Sequence, residues 1–261
     1  MAGLPKGFKR GLLFGALFAL FWGVIADRRR RSTLGGEMIE RLGGIPFLGP
    51  RLSADLSDQL MEGVYRAVAE DVVSQIATGE LLDLGSGSGR LAVEIARRAR
   101  DLQITTMDPS VGMVQVAESR IHGAGLGRQA KVVHGDLKDI PFPDNSFDGV
   151  VALRSFRRAE APERVLSEIY RVLRPGGRAR IYDLRKETPE EAWELVRERL
   201  SPLTQPFFDA GIMASWRAAY NEAQIDLYAA DSPFKETTLE AIPAQIAGTQ
   251  IRALTRATLQ K

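Results

Sequence analysis

Apolar and polar positions fall in blocks along this chain, and from residue 81 to residue 184 the blocks change period in a regular order. Leu81, Leu82 and Leu84 make a short apolar run of the kind a buried strand shows, and LAVEIARRA from Leu91 repeats its apolar residues at helical spacing. ITTMD is β-prone and ends on Asp108, and a helix-like segment lies around Met113 to Arg120. Val132 and Val133 mark a third strand, and Phe147 to Leu153 a fourth. A helix around Ala161 to Leu173 ends at RPGG, and RARIYDL supplies another strand. This alternation predicts an α/β fold whose sheet is mostly parallel, with helices on both faces.

Beyond that block, TPEEAWELVRERL predicts a helix with Thr188 as its cap and Pro189 in its first turn. PLTQPFFDAGIMASW interrupts regular structure, a helix follows from about Trp216 to Ala230, and FKETTLEAIP with TQIRALTRAT alternates as a closing antiparallel strand pair.

The pattern is quite different at the start of the chain. GLLFGALFALFWGVIA, Gly11 to Ala26, carries no charge and is apolar on every helical face. Lys6, Lys9 and Arg10 precede it and Arg28 to Arg31 follow it, cations suited to phosphate headgroups. About sixteen residues give roughly 24 Å of helix, slightly short for a hydrocarbon core of ~30 Å. A spanning or signal-anchor helix, a helix embedded in one leaflet and a cleaved signal ending at Ala26 are the three readings. The cleaved signal is disfavoured because four arginines directly after the apolar core resist translocation.

Charge and composition sharpen this division. Seven Lys or Arg against one acid among residues 1–31 give +6, so with +2 overall the remaining chain carries −4. Basicity is thus local to the arm, and a mildly acidic remainder is a poor long-range attractor of nucleic acid. The absence of cysteine excludes disulfides, thiolate metal sites and cysteine nucleophiles. His122 and His134, the only histidines, have no partner at metal-ligand spacing and read as ordinary surface or loop residues.

Candidate chemistry concentrates in LLDLGSGSGR, Leu81 to Arg90, where three glycines stand between a strand and a helix. Gly85, Gly87 and Gly89 let the backbone turn tightly and approach a ligand at the helix N-terminus. The spacing is G-x-G-x-G after the acidic Asp83, whereas dinucleotide pyrophosphate loops favour G-x-G-x-x-G. Asp108, roughly twenty residues on, falls where a second parallel strand would present a carboxylate to ribose hydroxyls.

Taken together, LLDLGSGSGR, MDPS, HGDLKDIPFPDNSFD and SEIYRVLRPGGRARIYD resemble the ordered motifs of Rossmann-like, class I S-adenosylmethionine-dependent methyltransferases, in the group that includes quinone and sterol methyltransferases. The resemblance covers about Leu81 to Leu184. It implies S-adenosylmethionine as cofactor. Asp83, Gly85, Ser86 and Gly87 would line its methionine part, Asp108 with Pro109 its ribose, Met113 one adenine face, and Asp136 with Leu137 the adenine amino edge, with Leu153 also bordering the site. Because the sulfonium already makes the methyl electrophilic, positioning can carry much of the rate, and no general base is assigned.

Where many relatives carry a pair of histidines, this chain reads ALRSFRRAEAP. Arg154, Arg157 or Arg158 either meets an anionic acceptor or belongs to a solvated basic loop. Asp183 and Tyr182, at a strand end, are either substrate contacts or a turn. Tyr65 either closes over the cofactor or packs within its helix. Phe207, Phe208, Ile212, Met213 and Trp216 form either the apolar wall of a lid over the acceptor, in a segment near 186–216, or plain core.

The expected organisation is a membrane-anchor helix with basic flanks over 1–31, a juxtamembrane linker with N-terminal helices over 32–78, and a methyltransferase domain over 79–261. The expected protein is a membrane-anchored methyltransferase of a lipophilic acceptor, a quinol or isoprenoid ring or a phospholipid amine. Its catalytic domain faces the cytoplasm, where the cofactor is found, and nucleic acid and metal are not expected partners. The alternative is a non-catalytic scaffold or assembly factor of a membrane complex that keeps the fold.

Overall fold

The computed structural model describes residues 48–261, apart from 160 and 203. The apolar segment Gly11 to Ala26, its basic flanks and the linker as far as residue 47 lie outside the described residues. Among the described residues no helix is long and apolar enough to cross a membrane.

The first element, α1, is a helix of 26 residues, Leu48–Val73. It falls within the 32–78 segment expected to hold a linker and N-terminal helices, and Pro50 is tolerated because a helix's first turn needs no N–H there. Four parallel strands follow with their intervening helices: β1 (Thr78–Leu84), α2 (Arg90–Arg98), β2 (Asp101–Asp108), α3 (Val111–Gly123), β3 (Ala130–His134) and β4 (Phe147–Leu153). A short 3₁₀ turn, Phe156–Arg158, leads to α4 (Pro162–Val172) and β5 (Leu173–Leu184). The helix ends where expected, but RPGG is no separating turn: β5 already pairs at Leu173, and a register shift between Phe147 and Gly149 absorbs the loop.

The sheet order is β3-β2-β1-β4-β5-β7-β6, where β6 (Glu236–Ile246) and β7 (Thr249–Gln260) form the antiparallel pair and β7 docks on β5. The sheet therefore reverses direction of strand order beside β1 and β4, which opens a crevice at the carboxyl ends of those strands. One face is covered by α1 and α2, whose Met61, Val64, Val68, Leu91 and Ile95 are buried with Leu81, Val151 and Leu184. The other face buries Leu82, Leu84 and Val150 against Leu166 and Ile169 of α4.

Three expectations between β5 and β6 are corrected. Thr188 does not cap the helix α5 (Glu190–Glu198); its hydroxyl donates to the Arg252 carbonyl at 2.6 Å and ties the loop to β7, while Pro189 stands at the cap position. The interrupting stretch is helical, as α6 (Gln205–Phe208), a five-residue π turn Asp209–Met213 and α7 (Ala214–Arg217). The next helix, α8 (Glu222–Ala230), begins later than expected because Asn221 and Gln224 form a reciprocal capping box that sets its start.

The apolar wall resolves in favour of core. Phe208, Ile212 and Met213 are 0%, 3% and 2% exposed and pack with Trp193 of α5, whose ring lies 6.4 Å from Phe208 and 6.1 Å from the half-buried Trp216. Phe208→Ala is therefore expected to lower unfolding free energy by about 3–5 kcal/mol in denaturant titration, a loss that a lid residue would not show.

Candidate active site

The glycine loop between β1 and α2 crosses the end of β2. Gly85 N and Ser86 N both donate to the Met107 carbonyl, at 2.8 and 3.0 Å. Gly85, at φ +69°, sits so close to the segment after β4 that a Cβ would lie 2.3 Å from the Ser155 Cβ. Ser155 is itself held there by donating to the Leu84 carbonyl at 2.8 Å. Gly89, at φ +72°, packs against α3, where a Cβ would meet that of Ala117 at 2.9 Å. Gly85→Ala is expected to weaken cofactor binding about tenfold or more, measured calorimetrically, because it combines a left-handed backbone with a clash.

Asp108, at the end of β2, accepts Gly87 N at 2.8 Å through one carboxylate oxygen and Ser110 N at 2.9 Å through the other. One side chain thus holds both the glycine loop and the start of α3. A carboxylate has about four acceptor directions, so two remain for a ligand. Ser110 caps α3 by accepting Met113 N at 3.4 Å, which sets Met113 at the cavity wall.

Asp83 lies one strand away, 1% exposed. Burial and then the negative charge of Asp108 push its carboxyl up to about 7, against a weak opposing hydrogen bond from Thr106 Oγ1 at 3.5 Å. A buried carboxyl poised in this way is suited to a cationic ligand, whose charge would favour the ionised form. The buried Ser86 Oγ has no hydrogen-bond partner and borders the same space.

Around these groups is a cavity of about 850 Å³. All ten residues expected to contact a cofactor line it: Asp83, Gly85, Ser86, Gly87, Asp108, Pro109, Met113, Asp136, Leu137 and Leu153. Its volume suits a nucleoside-sized ligand, since such pockets run from about 300 to about 1,000 Å³. Asp136 accepts Lys138 N at 2.9 Å, and the exposed His134 donates from Nε2 to the Pro109 carbonyl at 3.0 Å, tying the end of β3 to the loop after β2.

The substrate candidates separate. Arg154 lines the cavity and has the left-handed backbone, φ 57°, that is uncommon outside glycine; its N–H is held by the Tyr182 carbonyl at 2.8 Å. Its guanidinium donates to Ser215 Oγ at 3.2 Å. Arg157 belongs to no solvated loop and is not free for an acceptor: its side chain is 8% exposed, and it donates from Nε to Asp183 at 3.1 Å and from Nη2 to Ser215 at 2.9 Å. Asp183 is correspondingly committed to Arg157 and to Leu184 N through Oδ1, although burial pushes its carboxyl up and its Oδ2 has no partner. Tyr182 is no substrate contact, since it is fully buried within β5 and its hydroxyl donates to Asp71.

Tyr65 does border the cavity, and it leads to a cluster that sequence reasoning missed. Its hydroxyl donates to Asp58 at 3.0 Å; Asp58 also accepts Ser88 Oγ at 3.0 Å and the Arg120 guanidinium. These bonds tie α1 to the glycine loop and to α3 across the mouth of the cavity. Burial, and then Asp58, pushes the Tyr65 phenol well above its ordinary range. The sequence carries no signal for the cluster, because Asp58 and Ser88 are 30 residues apart and meet only through helix packing.

The methyltransferase domain family matches residues 82–181. The demethylmenaquinone methyltransferase of Thermus thermophilus is 30% identical over 154 residues, which cover 59% of this chain and 69% of that protein. The chain belongs to the class I S-adenosylmethionine-dependent methyltransferases. The methyltransferase also matches the demethylmenaquinone methyltransferase of Porphyromonas gingivalis, at 32% identity over 48% of its own length and 51% of that relative's. In fold it is similar to a SAM-dependent methyltransferase from Aquifex aeolicus, with a TM-score of 0.59 and 18% identity over 81% of this chain and 97% of the other. The enzyme's cofactor is S-adenosylmethionine, and the partnerless Ser86 Oγ, the poised Asp83 and the spare acceptor directions of Asp108 fit that group.

Proposed function

We propose that this methyltransferase is held at a membrane by its N-terminal segment and methylates a lipophilic acceptor, a quinol or isoprenoid ring first and a phospholipid amine second. The observation that carries the enzymatic part is the convergence of the glycine loop, Asp108, Met113 and Asp136 on one cavity beside Arg154. The choice of acceptor is supported by the uncharged Gly11 to Ala26 run between basic flanks and by relatives named for demethylmenaquinone. An anchor concentrates an enzyme where a bilayer-dissolved substrate is found. The domain faces the cytoplasm in this reading, because the cofactor is made there.

S-adenosylmethionine supplies an electrophilic methyl group, so the residues of this chain chiefly bind and align. Asp108 keeps the loop in place and would take the ribose hydroxyls, and ionised Asp83 would offer a counter-charge to the cationic methionine end. Met113 would cover one adenine face, and Asp136 with Leu137 would meet its amino edge. Asp58, Tyr65, Ser88 and Arg120 brace α1 against the glycine loop and α3 beside the cavity. Arg154, strained at the end of β4, stands at the side from which the acceptor enters.

Full-length enzyme in phospholipid vesicles, given methyl-labelled S-adenosylmethionine with either a lipid extract or an aqueous metabolite extract, tests the reading. Label is expected in the organic phase, on a ring compound. Label only in aqueous products would sink the lipophilic acceptor, and cofactor binding without turnover on either extract would favour the scaffold alternative.

A further inference from the structure

On the α1 side of the sheet, at the end away from the cofactor cavity, β5, β7 and β6 present three polar rows in register. Across β5, β7 and β6 the rows are Arg178, Gln260 and Glu236; Arg180, Thr258 and Thr238; and Tyr182, Arg256 and Glu240. Most charges here are neutralised. Asp71 at the end of α1 takes the Tyr182 hydroxyl and Arg256, Glu240 takes the other arm of Arg256, and Asp148 takes Arg174 and Glu80 N.

Arg178, bonded only to the neutral Gln260, and Arg180 are the exceptions, and Arg180 is the buried one. It is 6% exposed, its Nε has no hydrogen-bond partner, and it has no ion pair among the described residues. Two cavities adjoin on it, of about 240 and about 350 Å³, and both are lined by Gln75, Arg178 and Arg180. A guanidinium with no ion-pair partner of its own, its terminal nitrogens open to the cavities, is available to an anion, and its planar fork matches the oxygens of phosphate or carboxylate. Asp71, whose charge reaches Arg180, is already engaged by Arg256 and Tyr182, while Glu236 and Glu240, the latter paired with Arg256, border the second cavity.

We propose that Arg180, with Arg178 and Gln75, forms a second binding site of the enzyme, separate from the cofactor cavity, for a small molecule or headgroup bearing a phosphate-type oxyanion. Arg180 supplies the buried charge, Arg178 a second charge at the rim, and the Gln75 amide with the hydroxyls of Thr238 and Thr258 the remaining hydrogen-bond partners. The space beside the guanidinium exceeds a bare ion, which leaves room over Gly149 and Gly176 for a larger group that carries the oxyanion.

Full-length protein is titrated with inorganic phosphate at constant ionic strength, and separately with phosphatidylcholine vesicles with and without phosphatidic acid. Arg180→Met is expected to weaken phosphate binding about tenfold or more, with Arg180→Lys between the two because a point charge replaces the fork. S-adenosylmethionine affinity stays unchanged in both variants, which also reports that they are folded. A phosphate effect without a phosphatidic acid effect identifies a soluble ligand; a phosphatidic acid gain lost in Arg180→Met identifies a lipid headgroup. Should Arg180→Met not fold, the Gln75→Ala, Arg178→Gln double variant serves in its place. Equal binding of both probes by wild type and variant overturns the site.

Discussion

Asp108→Ala is expected to bind S-adenosylmethionine at least about 100-fold more weakly than wild type while remaining folded. The side chain holds Gly87 N and Ser110 N at 2.8 and 2.9 Å, so its removal loosens the loop and the start of α3 together. In the proposed role it would also remove the acceptor for two ribose hydroxyls, each hydrogen bond to a carboxylate contributing about 1.5–3 kcal/mol. At about 1.4 kcal/mol per decade the sum is two decades or more. Asp108→Asn separates the two roles. It keeps one acceptor oxygen for the backbone and loses the charge, so its affinity falls between wild type and Ala. Calorimetric titration of the three proteins checks the order, and wild-type affinity in Asp108→Ala would remove Asp108 from the cofactor site.

The second large effect concerns Asp83 and pH. Its carboxyl stands at about 7 in the folded protein against an ordinary 3.8. Between those values the folded state holds a proton that the unfolded chain has released, so stability contributed at this position falls as pH rises and its full cost is present above about 7. The shift corresponds to up to about 4 kcal/mol at ~1.36 kcal/mol per unit. Asp83→Asn is therefore expected to raise Tm of the cofactor-free protein at pH 8 and to flatten its pH dependence from about pH 4 to 7.

Binding follows the opposite sense. A cation beside Asp83 favours its ionised form, so affinity for S-adenosylmethionine rises with pH up to about 7 and then levels, with proton release on binding below that value. In Asp83→Asn the affinity is lower and the slope is gone. Calorimetry in two buffers of different ionisation enthalpy measures the released proton directly. Binding by wild type that is independent of pH and buffer would refute the role, whereas a more stable but weaker-binding Asn variant would place Asp83 among residues that trade stability for function.

The cofactor side of the molecule was largely legible in the chain because its signals are local. Apolar runs at periods of 2 and 3.6, Gly85 and Gly89 where only glycine fits, and an acid at the end of the second strand each depend on neighbours a few residues away. The ten expected cofactor residues accordingly share one cavity. The segment after β5 was less legible, since Phe207, Phe208, Ile212, Met213 and Trp216 have the same apolar character in a lid as in a core. Trp193 and α1, supplied from elsewhere in the sequence, make Phe208, Ile212 and Met213 core.

Thr188 illustrates the same limit, because a hydroxyl before a helix caps it only if no better acceptor is near, and here the Arg252 carbonyl of β7 is. Arg157 and Asp183, 26 residues apart, read as separate candidates for an acceptor and become each other's partner once β5 lies beside the turn after β4.

The sequence by itself therefore determined the order of strands and helices, the glycine cradle and the acid that serves it, because backbone sterics and hydrophobic period act over a few residues. Only the tertiary structure decided which charges are satisfied. The Asp58, Tyr65, Ser88 and Arg120 brace, the Arg157–Asp183 pair and the unpartnered Arg180 all depend on groups brought together across the sheet, where burial turns an ordinary charge into one that must find a partner.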